Sequence, residues 1–268
     1  MTDFLDANGT RLEYAWWGTP RNDGAAIVLL HEGLGCLDLW REFPEALAAW
    51  SGLPVFAYSR AGYGRSDPVP LPRPRSYLHD EARQVLPHVL EAAGIARAVL
   101  VGHSDGGSIA LIAAASEDLK DQICGVVTIA AHVFVEDITV RGVQAARQAF
   151  LRGDLRRPLA RWHGDNVAIA FHGWNDTWLD PAFGDWNIEE LLPRITAPSL
   201  VIQGSEDQYG SPAQVAAIAA GVAGPVQTWL VEGAGHAPHQ DRTDAMLDRI
   251  ASFAEQHLLQ EPQRIAPS

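Results

Sequence analysis

The stretch Ala98-Val99-Leu100-Val101-Gly102-His103-Ser104-Asp105-Gly106-Gly107 decides how the rest of the chain reads. Residues 98–101 are a short apolar run, the pattern of a strand buried on both faces. Residues 104–116 are rich in Ala, Ile and Leu and predict a helix. A serine between two glycines at such a strand-to-helix turn is G-x-S-x-G in the context that makes the motif a nucleophile elbow. The serine must sit on a sharp, strained turn. Side chains at Gly102 or Gly106 would collide with neighbouring strands and the helix. The turn lifts the Ser104 oxygen above the sheet, and the helix N-terminus behind it favours developing negative charge.

Working outward, Ala25-Ala26-Ile27-Val28-Leu29-Leu30, Val55-Phe56-Ala57-Tyr58, Val126-Val127-Thr128-Ile129, Leu200-Val201-Ile202 and Thr228-Trp229-Leu230-Val231 read as further buried strands. Residues 11–16 alternate and predict an antiparallel strand near the sheet edge. Helices are expected over 38–50, capped by Asp38; over 77–93, ended by Gly94; over 212–220, opened by Pro212; and over 241–257. This alternation implies an α/β fold with a mostly parallel sheet and helices on both faces. Between 132 and 194 no strand run occurs, and aromatics crowd in: Phe134, Phe150, Trp162, Phe171, Trp174, Trp178, Phe183 and Trp186. The expected organisation is a core of 1–131 plus 195–268 and a helical insertion at 132–194. The last residues, 261–268, are expected to fray.

Two more motifs sharpen this. His31-Glu32-Gly33-Leu34-Gly35 follows the first buried strand, and Arg60-Ala61-Gly62-Tyr63-Gly64-Arg65-Ser66 follows the next. With the elbow, they resemble the α/β-hydrolase superfamily over nearly the whole chain. The first looks like the family's oxyanion-hole loop, H-G-x-x-G, and the second like its R-G-x-G-x-S turn. The resemblance implies the α/β-hydrolase fold and makes the insertion its cap domain. Glu32 departs from the pattern: it stands where the family has glycine. It either turns away to bond backbone or reads a positive group on a substrate. Ser59 replaces a frequent aspartate.

A serine hydroxyl needs a base. His236, in Glu232-Gly233-Ala234-Gly235-His236 just past the last strand, fits that role, and the small residues let the loop bend back. His239, three residues on, is expected to point elsewhere. The superfamily order of serine, acid, histidine is met by Ser104, Asp207 and His236. The family pattern G-x-x-D selects Asp207 over its neighbour Glu206. A rarer arrangement would place the acid near Glu136 or Asp137. The acid would hold the imidazole tautomer and stabilise the imidazolium. Backbone N–H groups of Gly33 and Asp105 are the expected oxyanion hole; the Asp105 side chain can serve separately as a hydrogen-bond acceptor. Glu32, His103, Phe134, Trp174 and Trp178 are the candidate substrate-binding residues. For any one cap aromatic the competing role is packing within the cap.

Composition bounds the rest. Of 268 residues 47% are hydrophobic and 20% charged, and 20 basic against 33 acidic residues leave a formal charge of −13. That argues against nucleic acid or anionic membrane as partner. Cys36 and Cys124 make no disulfide framework. The N-terminus is acidic rather than signal-like, and no apolar run is long enough to span a bilayer, so a cytoplasmic setting is expected. No H-E-x-x-H, P-loop or G-x-G-x-x-G after the first strand is present, and neither metal nor cofactor is expected. The expected activity is hydrolysis of a small or medium apolar carboxylic ester or lactone through an acyl-enzyme. The rivals are C–C bond hydrolysis of a diketone-type substrate, an amidase or aminopeptidase, cofactor-free oxygenase or lyase chemistry, and a non-enzymatic receptor.

Overall fold

The computed structural model describes residues 2–259. Eight strands, β1 (Asp3–Ala7), β2 (Thr10–Trp17), β3 (Ala25–Leu30), β4 (Val55–Tyr58), β5 (Arg97–His103), β6 (Ile123–Ile129), β7 (Ser199–Gly204) and β8 (Val226–Val231), form one sheet in the order β1-β2-β4-β3-β5-β6-β7-β8. Strands from β4 through β8 pair in parallel, while β1–β2 and β2–β4 are antiparallel. The apolar runs of β3 to β7 are buried because both faces of the sheet are covered there. Strand β8, expected to be buried, lies at the sheet edge and stays largely open, with Leu230 45% exposed and Val231 buried. Every residue of β3 is buried, and its side chains alternate between two cores. Val28 and Leu30 pack with Leu100 and Ile109 on one side; Ile27 and Leu29 pack with Val101, Leu47 and Ile250 on the other.

The helices are α1 (Phe43–Ser51), α2 (Tyr77–Asp80), α3 (Leu86–Ala92), α4 (Asp105–Ala114), α5 (Asp137–Arg152), α6 (Arg156–His163), α7 (Val167–Trp178), α8 (Pro212–Gly221), α9 (Pro238–Asp241) and α10 (Thr243–Leu258). All ten residues of α4 are buried, which is why its sequence is apolar all round rather than amphipathic. Helices α5, α6 and α7 fall between β6 and β7, in the segment expected to be helical.

Three more expectations change. The helix over 38–50 is a 3₁₀ turn at Leu37–Trp40 followed by α1. Arg41, at φ 53°, breaks the path, and Pro44 sits in the first turn of the new helix, so Asp38 caps nothing. The helix over 77–93 is interrupted by a π turn at Glu81–Val85, because Pro87 has no N–H to continue the ladder. An extra strand, β1, lies outside β2; Asn8 (φ 55°) and Gly9 (φ 83°) supply the tight turn between them. The expected fraying at 261–268 lies outside the described residues. Among the described residues no helix is long and apolar enough to cross a membrane.

Candidate active site

The end of β5 turns into α4 at Ser104, which adopts φ 52° and ψ −117°. A non-glycine residue held there stores about 1–3 kcal/mol of strain, and the surroundings enforce it. The Ser104 N–H donates to the Ile129 carbonyl of β6 at 2.8 Å. A Cβ on Gly102 would strike the Gly106 backbone, and one on Gly106 would strike the Leu30 carbonyl of β3. Asp105 begins α4, so its N–H has no partner within the helix.

His236 follows β8 on a loop that folds back over the strand ends. Its Nδ1–H donates to Asp207 Oδ1 at 2.8 Å. Asp207, after β7, also accepts from Tyr209 N at 2.8 Å, Gly210 N at 3.3 Å and Gln203 Nε2 at 3.2 Å. Burial pushes the Asp207 carboxyl up, but the bond and charge from His236 and the Tyr209 N–H outweigh it and hold the group below its ordinary value. Glu136, the other acid considered, is occupied elsewhere: it accepts from Ser211 N and Gln214 Nε2 at 2.9 and 2.8 Å. Asp137 opens α5. His239 packs against Trp40, Phe43 and His103, and its burial depresses its basicity to about 3.

The loop 31–35 is anchored from below. His31 Nδ1–H donates to the Glu32 carbonyl at 2.8 Å, and its Nε2 accepts from Arg60 N at 3.1 Å. Burial, then the Arg60 charge, keep the His31 ring neutral. Arg60 Nη2 also donates to the Glu32 carbonyl at 2.8 Å. The R-G-x-G-x-S turn therefore supports the neighbouring loop. Glu32 does not turn away. Its carboxylate lies over Gly35, on the wall of the cavity above Ser104, with Oε2 3.6 Å from His103 Nδ1. Burial pushes this carboxyl up, but His103 and His31 hold it well below the carboxylate range.

Asp105 is 1% exposed, and its Oδ2 accepts from Tyr77 OH at 2.6 Å. That hydroxyl in turn accepts from Trp178 Nε1 at 2.9 Å, so the end of α7 is tied to the start of α4. Asp105 Oδ1 is buried without a protein partner.

Ser104 and His236 share a cavity of about 460 Å³, a size suited to a small-molecule ligand. Of the residues expected there, Glu32, Gly33, His103, Asp105, Trp174 and Trp178 line it. Phe134 does not: it bridges Asn187 and packs on the core. Trp174 lies directly on Gly33, where a Cβ would enter its indole ring. The other aromatics pack among themselves, Phe150 on Phe171 at 3.7 Å and Phe183 on Trp186 at 5.5 Å. The sequence reading missed His132, Tyr209 and Asp241 in the lining. The first two follow strands β6 and β7, and ligands gather outside the carboxyl ends of strands in such sheets; that rule would have found them. Asp241 Oδ2 accepts from Gly235 N at 2.9 Å and braces the His236 loop.

Ser104 and His236 thus line one cavity, and the His236 ring is bonded to the Asp207 carboxylate. Residues 27–249 match the model of the alpha/beta hydrolase family. The chain is 30% identical to the mouse Serine hydrolase BPHL over 206 residues, 75% of this chain and 68% of that protein. The human Serine hydrolase BPHL is 30% identical over 159 residues, 57% of this chain, and the match spans about half of its length (53%). Among solved structures, the enol-lactonase from Burkholderia xenovorans LB400 superposes with a TM-score of 0.70 at 24% identity, covering 94% of this chain and 99% of that one, a likeness of fold. The chain belongs to the α/β-hydrolase family.

Proposed function

We propose that Ser104, His236 and Asp207 form a catalytic triad that hydrolyses a small or medium apolar carboxylic ester or lactone. The observation that carries this reading is the 2.8 Å His236–Asp207 bond on a loop that shares one cavity wall with the strained Ser104. His236 Nε2 takes the Ser104 proton as Oγ attacks the carbonyl carbon. The N–H groups of Gly33 and Asp105 receive the oxyanion. His236 returns the proton to the leaving alcohol, then activates water, which releases the acid from Ser104. Residues 132–194 act as a cap, with Trp174 and Trp178 excluding water and holding the apolar part of the substrate. The two free thiols, Cys36 and Cys124, suit a reducing, cytoplasmic setting.

A second reading, an ester or amide carrying a protonated amine, is favoured by charge. Glu32, Asp105 and Asp241 are among the described lining residues, and no Lys or Arg is. Trp174, Trp178 and Tyr209 add ring faces that attract cations.

Purified protein treated with a fluorophosphonate should label at Ser104, and Ser104→Ala and His236→Ala should be about equally inactive, because the members of a triad act as a unit. Substantial surviving Ser104→Ala activity would replace the hydrolase reading with direct His236 chemistry on the substrate.

A further inference from the structure

We propose that Glu32 and His103 form a second carboxylate–imidazole pair that positions the His236 loop, so that the oxyanion loop, the elbow and the base move as one unit. The inference rests on the serine-hydrolase reading and adds positioning residues to it. His103 precedes Ser104 at the end of β5, and Glu32 precedes Gly33. Each is thus the direct neighbour of a group assigned to the chemistry. The His103 side chain spans from one to the other. Its Nε2 lies 2.8 Å from the His236 carbonyl oxygen and its Nδ1 3.6 Å from Glu32 Oε2.

A carbonyl oxygen only accepts, so Nε2 carries a proton. The Glu32 carboxylate lies beside the other ring nitrogen at 3.6 Å, too far for a hydrogen bond and close enough for an electrostatic contact. Glu32 also fixes which way the ring faces. Turning the imidazole over would set carbon atoms against both the carboxylate and the carbonyl. The pocket around His103 is tight: the residue is 4% exposed, with His239 at 4.7 Å and Trp40 at 6.5 Å between ring centres.

The His236 loop is also held by the Asp207 bond to its side chain, by Asp241 on Gly235 N, by Glu206 N on the Ala234 carbonyl and by Ser205 Oγ on Gly233 N. The His103 bond is the one on the His236 main chain itself. Without Glu32, His103 is free to turn over, which deletes the bond to His236 and lets Nε2 of the base drift from Ser104 Oγ.

The experiment uses neutral substrates, p-nitrophenyl acetate and butyrate, together with the rate of fluorophosphonate labelling of Ser104, in the wild type and in Glu32→Ala, Glu32→Gln, His103→Ala and the double alanine variant. A misplaced base costs rate rather than affinity, so Glu32→Ala should lower kcat and the labelling rate about tenfold to a hundredfold with KM little changed. Glu32→Gln keeps the shape and a polar group facing Nδ1, so it folds as the wild type does and should recover most of the rate. The double variant should be no slower than the worse single one, because both residues act through one bond. Single losses that multiply in the double variant would overturn the pairing. So would a Glu32→Ala enzyme with normal kcat on neutral esters and a raised KM for amine-bearing ones only, which would make Glu32 a reader of substrate charge. A wild type that neither labels nor turns over would overturn the hydrolase reading itself, an outcome distinct from a reactive wild type with an equally reactive Glu32→Ala.

Discussion

Asp207→Asn separates the charge of the acid from its geometry. Asp207 Oδ1 faces three donors, His236 Nδ1, Tyr209 N and Gly210 N. An asparagine must put its carbonyl oxygen there, because an amide NH₂ would meet two backbone N–H groups. Its nitrogen then takes the Oδ2 position and loses the longer bond from Gln203 Nε2, which stays on the Gly210 carbonyl at 2.7 Å. His236 therefore keeps its orientation and its Nδ1–H bond, and what vanishes is the negative charge beside the imidazolium. Charge centres about 4 Å apart interact by about 4 kcal/mol at an effective dielectric near 20. At 1.36 kcal/mol per factor of ten, kcat should fall by about three orders of magnitude. Where the same substitution instead inverts the histidine tautomer, the loss is about 10⁴-fold. Asp207→Ala gives up the orientation as well and should be slower still. Burst kinetics with an activated ester, backed by a thermal melt, measure both variants. An Asp207→Asn enzyme within tenfold of the wild type would refute the assignment, and a dead Asp137→Asn alongside it would move the acid to the segment after β6.

Other consequences are measurable. Trp174→Ala should open space beside Gly33 and shift preference toward longer acyl chains, each added methylene being worth about 1–3 kcal/mol of discrimination; unchanged relative kcat/KM over an acyl series would make Trp174 packing only. Gly106→Ala should fail to yield soluble folded protein, since its Cβ would meet the Leu30 carbonyl in the centre of the sheet, where neither backbone can give; a normal melting curve would contradict this. Stability should fall as pH drops below about 6.5. Burial lowers the basicity of His31, His132, His163 and His239, so the unfolded chain binds protons there that the native one refuses, at up to about 1.4 kcal/mol per histidine per pH unit. Glu81 and Asp38, both pushed up by burial, oppose with two groups. Denaturant midpoints that stay flat from pH 6.5 to 5 would show that these rings are not buried neutral.

The sequence alone determined what is local. Apolar runs of three to six residues between helical patterns dictate a sheet covered on both faces, since that arrangement buries such strands. Gly102 and Gly106 around Ser104 mark a turn that side chains would block. The Asn8-Gly9 signal for the first hairpin was also present, but an acidic strand at the sheet edge, Asp3–Ala7, carries no apolar run to announce it. Tertiary structure decided whatever depends on which distant segments meet. Phe134 and Trp174 look alike in sequence, yet one bridges Asn187 at the rim and the other lies on Gly33. Arg60 reads as part of a turn and serves as the anchor of the neighbouring loop. Glu32 was open between backbone and substrate, and it faces His103, seventy-one positions away, because β3 and β5 are adjacent parallel strands that end together. Spacing along a chain fixes the conformation of a segment; the partner of a carboxylate is fixed only when the sheet brings two strand ends side by side.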